Sequence, residues 1–490
     1  MPEIMIDGQA LNAEKTQTVM EAARAHGITI PGFCYHPALS VAGNCRLCLV
    51  EQEGRGIDIA CKMPVQEGMR ILTASPAVQD ARQAMLQFFT LNHPVDCGIC
   101  DKSGECLLQD YHYQYNGEPS LSHDPKLQRS KFFALSSRIL LDNERCVLCS
   151  RCVRFTHEIS KSRALGFVQR ADHALLRPAD PQALEQDAYA DNIIDLCPVG
   201  ALLSRRFFYR ARVWYLQATP SICPGCARGC HIHIWHRKPQ WQLKSLDAAH
   251  QRRIERITPR LNPEINGHFI CNKGRDLADI FERPRLLSAR LAGAPVSHEA
   301  ALAQAYDWMI KAQHRVAVVS SWASNEELQT FQDTLGGVFH TFCKADQQPA
   351  PGEVIADDWL IVADKNPNLT QAQALFGSTP PQIDPATDLL LLWGEGLKVE
   401  DCPATARVIW LNAYEDSDSA WLSRADLVIP LSLQTERAGH YTNQQGQVGA
   451  FEPCFAKPDG VLDAVDVFQH LALRKALQPS STPIPKNQTP

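Results

Sequence analysis

CVLCSRC, residues 146–152, sets Cys146, Cys149 and Cys152 at two-residue intervals, and Cys197 follows much later in a Cys-Pro step with Pro198. In two-cluster iron-sulfur repeats the run C-x2-C-x2-C-x3-C-P gives three thiolates to one cluster and its fourth cysteine to the other. Counting back from Cys197 on that spacing lands on Asp187, Ala190 and Ile193, and counting forward from Cys152 lands on Thr156. None of these four is a thiol, so the second site of such a repeat has been vacated. Cys197 is then the residue expected to join Cys146, Cys149 and Cys152 around one 4Fe-4S cluster, on a domain spanning residues 136–212.

Working outward, three more ligand sets appear. Upstream, His93, Cys97, Cys100 and Cys106 form H-x3-C-x2-C-x5-C, directly after the helical stretch AVQDARQAMLQFFTLN at 77–92. A neutral imidazole in place of a thiolate removes one negative charge and makes a 4Fe-4S cluster easier to reduce, by the logic that raises Rieske potentials. The alternative is a bystander histidine beside a Cys pair. Further upstream, Cys34, Cys45, Cys48 and Cys61 form C-x10-C-x2-C-x12-C, a long loop ending in C-x2-C that suits a 2Fe-2S rhombus. Downstream, Cys223, Cys226 and Cys230 form C-x2-C-x3-C, joined across a long gap by Cys271. A structural zinc site is the competing reading of the first and last sets. Of the 18 cysteines, Cys343, Cys402 and Cys454 stand outside all four sets, and buried inert thiols are expected there.

The surrounding chain organises these loops. EIMIDG with Asp7-Gly8 at a hairpin turn, followed by the helical TVMEAARAH at 18–26, predicts a small mixed sheet over residues 1–80. The second set occupies 81–122 and the fourth 216–278, the third and fourth being linked by the aromatic and basic RRFFYRARVWYLQ at 205–217. From 286 to 476 the texture becomes α/β: RVAVVSS, DWLIVAD, DLLLLWG, ARVIWLN and ADLVIP read as buried strands and NEELQTFQDTLGG as a helix. Such alternation predicts a doubly wound, mostly parallel sheet. The stretch 478–490, rich in Pro, Ser and Thr, reads as a disordered tail.

Hydrophobic content of 45% and charged content of 21% are those of a globular protein. A net charge of -6 and a pI near 6.3 argue against nucleic acid or an anionic membrane surface as partner. No apolar run approaches the roughly 20 residues of a membrane span, and the acidic start MPEIMIDG lacks signal-peptide character. Location in the cytoplasm, with reduced thiols that mean metal, is the expectation. Gly394-Glu395-Gly396 follows a strand, but Val399 stands where a dinucleotide fingerprint needs its third small residue, so a strand-ending turn is the plainer reading.

In this order the four motifs resemble the G-type large iron-sulfur subunit of bacterial respiratory complex I, an NADH:quinone oxidoreductase. Cys271-Asn272-Lys273-Gly274 resembles the C-x-K-G of the molybdopterin-oxidoreductase cluster domain, and Glu436, Gly439, Asn443 and Gly446 look like the E-x2-G-x3-N-x2-G stretch of the same superfamily. The resemblance implies an α+β and α/β multidomain chain: a β-grasp 2Fe-2S ferredoxin-like domain, one-His/three-Cys and ferredoxin-like 4Fe-4S domains, then a shortened pterin-enzyme-like α/β domain. It implies one 2Fe-2S and three 4Fe-4S clusters, with no molybdopterin, FMN or NAD on this chain and no catalytic residue. Electrons would arrive from a flavin-bearing, NADH-oxidising partner at the first set, pass to the third, then the second, and leave toward quinone-side iron-sulfur subunits, with the fourth cluster off that path. The complex would sit peripherally on the inner face of the bacterial cell membrane. Among the competing families, iron-only hydrogenases need four more clustered cysteines, NAD-linked formate dehydrogenases need the full pterin module, and the small electron-transfer subunits of soluble NAD-linked hydrogenases stop after the third set.

Overall fold

The computed structural model describes residues 1–129, 131, 133–241, 253–415 and 419–476; the stretch expected as a disordered tail lies outside the described residues. The chain divides into two compact units, one of Met1–Gln217 with Arg237–Trp241 and the other of Ala218–His236 with Gln242–Pro490. Among the described residues no helix is long and apolar enough to cross a membrane.

The first unit opens with strands Glu3–Ile6 and Gln9–Asn12, paired antiparallel. Asp7 and Gly8 both have positive φ, 48° and 84°, as a tight turn matched to the strand twist requires. Thr18 caps the helix Val19–Ala25 in a capping box with Glu21, which satisfies donors that the first helical turn leaves unpaired. Three more strands, Leu49–Gln52, Gly56–Ile59 and Arg70–Leu72, complete a five-stranded sheet in which Glu3–Ile6 lies between Gln9–Asn12 and Arg70–Leu72. Its core gathers Ile4, Ile6, Val19, Val50 and Ile71. The helix Pro76–Asn92 is capped by Ser75 and ends at His93. A second small sheet of Phe133–Ala134, Ile139–Leu141 and Leu202–Ser204 brackets the third cysteine set.

In the second unit the strands Leu216–Ile222, His231–Arg237 and Ile254–Pro259 form one sheet. A seven-stranded sheet follows, in the order Ala294–Val296, Ala289–Leu291, Leu427–Pro430, Arg407–Asn412, Leu389–Trp393, Arg315–Ser320, His340–Lys344. The last five strands pair in parallel and the first two antiparallel. Strands buried on both faces need unbroken apolar runs, and LLLLW at Leu389–Trp393 is buried at all five positions. Helices Asn325–Leu335 and Ala464–Ala476 cover one face, with Phe331 packed edge-on against Phe468 at 5.1 Å.

One expected strand is absent. DWLIVAD at 358–364 is irregular, because the Asp357 carboxylate accepts the N–H groups of Trp359 and Ile361, both at 2.9 Å, and the buried Lys365 ammonium takes the carbonyl of Val362 at 3.0 Å. Side-chain groups thereby claim backbone partners that a strand ladder would have used. The edge strand His340–Lys344 takes its place beside Arg315–Ser320.

Candidate metal centres

In the first set Cys34, Cys45, Cys48 and Cys61 are all buried. The thiols of Cys34 and Cys45 hydrogen-bond each other, and so do those of Cys48 and Cys61. The bond from Cys45 pulls the Cys34 thiol down to about 5 and pushes Cys45 up; likewise Cys48 is lowered and Cys61 raised. Gly43, at φ 66°, lies so close to Lys62 that a Cβ there would come within 2.6 Å of Lys62 Cε.

The second set sits where elements end. His93 closes the helix Pro76–Asn92, Cys97 begins the short turn Cys97–Ile99, and Cys106 precedes the helix Leu107–Tyr111. Burial pulls the His93 imidazole down to about 4, which keeps it neutral and able to coordinate. Burial pushes Cys100 up and Cys106 up to about 11; Cys97 acts on Cys100, and Cys100 on Cys106. The charges acting on His93 are those of Asp96, Arg145 and Lys126, with no cysteine among them.

Cys146, Cys149, Cys152 and Cys197 together line one pocket, closed by Leu176, Val199 and Leu202. Burial raises Cys146 to about 12, Cys149 to about 11 and Cys152 well above its usual value, and each of these feels the charge of Cys197. The vacated positions have become core: Thr156 and Ile193 are 0% exposed and Ala190 2%. In the fourth set the Cys223 N–H donates to the Cys230 carbonyl at 2.8 Å. Cys271 heads the short helix Asn272–Arg275 and is pushed up by burial to about 11, with Cys226 raising it further. Gly225 and Gly274 approach the Cys223 sulfur, each such that a Cβ would sit 3.5 Å from it. Among the described residues no three His, Cys, Asp or Glu side chains are gathered as around a single metal ion. Buried thiols raised in this way become thiolates only against a compensating cation, and four cysteines around one pocket are a donor set of the kind that holds iron-sulfur clusters.

Family models match in the same order. Residues 2–76 match a 2Fe-2S iron-sulfur cluster binding domain and 82–119 the NADH-ubiquinone oxidoreductase-G iron-sulfur binding region. Residues 136–203 match the ferredoxin-like domain of NADH-quinone oxidoreductase subunit 3, and 216–283 the molybdopterin oxidoreductase Fe4S4 domain. The G-type subunit of NADH-quinone oxidoreductase from Rickettsia bellii is 37% identical over 58% of this chain and 40% of its own length. The NADH-ubiquinone oxidoreductase 75 kDa subunit of Reclinomonas americana is 38% identical over 58% of this chain and 39% of its own.

Over these matched residues the chain is homologous to NADH-quinone oxidoreductase iron-sulfur subunits.

A further member, the mitochondrial NADH dehydrogenase [ubiquinone] iron-sulfur protein 1 of Solanum tuberosum, is 34% identical over 70% of this chain and 46% of its own. The chain therefore matches less than half the length of these relatives. A chain of an NAD+-reducing [NiFe]-hydrogenase crystal structure is 30% identical over 43% of this chain and 91% of its own, with a TM-score of 0.40, too loose a superposition to carry an argument.

Several residues that shape the ligand loops carry no motif. Arg154 donates to the carbonyls of Cys34 and Ser40, and to that of Cys149 at 3.4 Å; Arg151 donates to the carbonyls of Tyr35 at 2.6 Å, Gly32 at 3.3 Å and Leu196 at 3.2 Å. Asn44 Nδ2 reaches the Leu148 carbonyl at 3.3 Å. On the other side of the third set, the Leu107 N–H donates to the Pro198 carbonyl at 2.9 Å, and buried Arg145 grips Asp96 through Nε at 3.0 Å and Nη2 at 2.6 Å. A Cβ on Gly200 would come within 2.3 Å of Cys100 Sγ. Arg212 holds the carbonyls of Cys100 and Gly98, both at 2.5 Å. In the second unit Asn443, from the pterin-enzyme-like stretch, packs on Gly229 and donates to the Arg228 carbonyl at 3.2 Å, inside the fourth loop. Lys273 pairs with Glu353 at 2.8 Å. Basic residues beside cysteines were the only available signal for the arginines, and most of their carbonyl partners lie more than a hundred residues away.

Proposed function

We propose that this chain is the iron-sulfur electron-transfer subunit of an NADH:quinone oxidoreductase of the complex I type, relaying electrons one at a time from an NADH-oxidising flavin subunit toward quinone-reducing subunits. Cys34, Cys45, Cys48 and Cys61 would hold a 2Fe-2S cluster. His93 with Cys97, Cys100 and Cys106, the four cysteines of the third set, and Cys223, Cys226, Cys230 and Cys271 would each hold a 4Fe-4S cluster. Bound there, the clusters supply reversible one-electron chemistry. The protein supplies ligation, burial that excludes water, and hydrogen bonds and charges that set each potential. No residue is assigned to bond-making, and hydride chemistry belongs to a flavin partner.

The observation that carries the reading is the place of the third set between the other two. Arg154 spans the carbonyls of Cys34 and Cys149, while the Leu107–Pro198 hydrogen bond joins the residues that follow Cys106 and Cys197. Adjacency of this kind supports a path that enters at the first set, crosses the third and leaves by the second. Homology to these subunits supports the donor and acceptor, and a peripheral position at the membrane through partner subunits.

The test is iron and sulfide analysis with low-temperature EPR on the anaerobically purified, dithionite-reduced chain. About fourteen irons per chain, with one 2Fe-2S and up to three 4Fe-4S signals, is the expected result. Bound zinc with little sulfide would replace the reading with a metal-stabilised scaffold.

A further inference from the structure

Buried positive charge is matched differently at the second and third ligand sets. Beside the second set the Arg145 guanidinium meets two carboxylates, Asp96 at 2.6 Å and Asp142 at 3.4 Å. Beside the third set Arg151 is 8% exposed, and its guanidinium meets only main chain. Nη2 donates to the carbonyls of Tyr35 at 2.6 Å and Gly32 at 3.3 Å, and Nη1 to that of Leu196 at 3.2 Å. These carbonyls hold the group still, but they carry no net charge to set against its own.

Burial is the largest influence on Arg151 and opposes its charge; the charges that act on it are those of Cys149, Tyr111, Cys197 and Arg154, in that order. Among the described residues no carboxylate belongs to that group. A buried cation without an anion is costly, and a guanidinium does not escape the cost by shedding its proton. The anions on offer are therefore the ligand thiolates of Cys149 and Cys197. The relation runs both ways: against the burial that raises Cys149, Arg151 works through its charge and through its own backbone N–H.

Position makes the pairing selective. Arg151 lies between Cys149 and Cys152 in the chain, and Leu196, whose carbonyl it holds, directly precedes Cys197. On the side of the first set it grips Gly32 and Tyr35, which flank Cys34, yet no cysteine of the first set is among the charges acting on it. The first loop serves as its anchor, and the third set receives its charge.

We propose that Arg151 is the built-in counter-ion of the third centre, a positioning residue whose unmatched charge favours the thiolates there and each electron that arrives, and so raises that centre's potential. The inference rests on the reading of the sets as iron-sulfur centres. An electron adds one negative charge, and nearby fixed charge is one of the means by which a protein tunes such a centre. At the second set the same added charge meets an arginine already claimed by Asp96 and Asp142. The middle of the wire is thereby made the more favourable resting place for an electron in transit.

EPR-monitored redox titration of the anaerobically purified, cluster-loaded chain tests this, with iron and sulfide counted on the same samples and the third-set signal identified as the one lost in Cys149→Ala. Arg151→Met and Arg151→Gln, both neutral, are expected to weaken the third centre's hold on its electron at least ten-fold, about 59 mV for a one-electron couple. The second centre is expected to change less than two-fold. Arg151→Lys, which keeps the charge and loses the fork of N–H groups, is expected to recover most of the difference. A third-set potential untouched by the neutral variants, shifted no more than that of the second set, or shifted as far by Lys as by Met overturns the proposal. Where the neutral variants do not load the third set, loading restored by Lys supports the counter-ion, and loading restored by none of the three overturns it. A parent chain lacking iron and sulfide at the third set overturns the electron-transfer reading itself, before any variant is compared.

Discussion

Gly200→Ala is a small change that should empty one metal centre and leave the others. The added Cβ would stand 2.3 Å from Cys100 Sγ, 3.2 Å from Lys102 Cβ and 3.5 Å from Arg145 Cδ. Carbon and sulfur need at least about 3.5 Å, so the sulfur must retreat by about 1.2 Å. Metal-ligand distances tolerate only about 0.2 Å. A thiol sits at the end of one rotatable bond, so the metal-free chain accommodates the methyl by swinging Cys100 into another rotamer, at an overpacking cost of about 1–3 kcal/mol at most. A cluster cannot follow that swing. Purified anaerobically, the variant should keep the far-UV circular dichroism of the parent, lose about four of about fourteen irons, and lack the EPR signal of the His93 set while the 2Fe-2S signal persists. Full iron content with an unchanged signal from that set would refute the placement of Gly200 against a ligand sulfur.

His93→Cys should retain a cluster at the second set but lower its midpoint potential, since a thiolate adds a negative charge; an unchanged redox titration would count against histidine ligation. Arg145→Met and Asp96→Asn should shift that same potential in opposite directions, down and up, because the buried pair lies beside Cys100 and His93; shifts of the same sign would show that the charges are not what acts. Glu353→Gln releases the Lys273 ammonium beside the fourth set and should raise its potential in an EPR-monitored titration, with no change if Lys273 is screened by other means. Trp410→Ala removes a side chain that is 0% exposed and donates to the Gly394 carbonyl at 2.9 Å, and should cost about 3–5 kcal/mol in denaturant unfolding of the second unit; a loss under about 1 kcal/mol would mean that the sheet repacks freely.

Local chemistry was the legible part of this chain. The Asp7-Gly8 turn, the Thr18 cap with Glu21 three residues on, and the apolar runs at Leu389–Trp393 and Arg407–Asn412 each announce their structure within a few residues. Ligand spacing was legible for the same reason, since C-x2-C places two thiols on one loop whatever surrounds it. Apolarity alone misled at DWLIVAD, where Asp357 and Lys365 draw the backbone polar groups away from a ladder. The edge strand His340–Lys344, HTFCK, has too few apolar residues to declare itself. What joins the loops to one another was not readable, because Gly200 matters through Cys100, and Arg154 through carbonyls that lie 114 and 120 residues away.

Those long-range hydrogen bonds bear on how the protein matures. Arg154 grips the carbonyl oxygens of two residues expected to bind different clusters, and Arg151 clasps Gly32, Tyr35 and Leu196 together. A loop frozen by its own metal holds its carbonyls still for the arginine, and the arginine then presents the neighbouring loop already ordered. Such coupling is reciprocal: if filling one centre tightens the other by some factor, filling the second tightens the first by the same factor. Partly loaded chains should therefore be scarce during iron delivery, with empty and filled forms of these two centres dominating a native mass spectrum. A plain statistical ladder of intermediates would mean that the two centres mature independently.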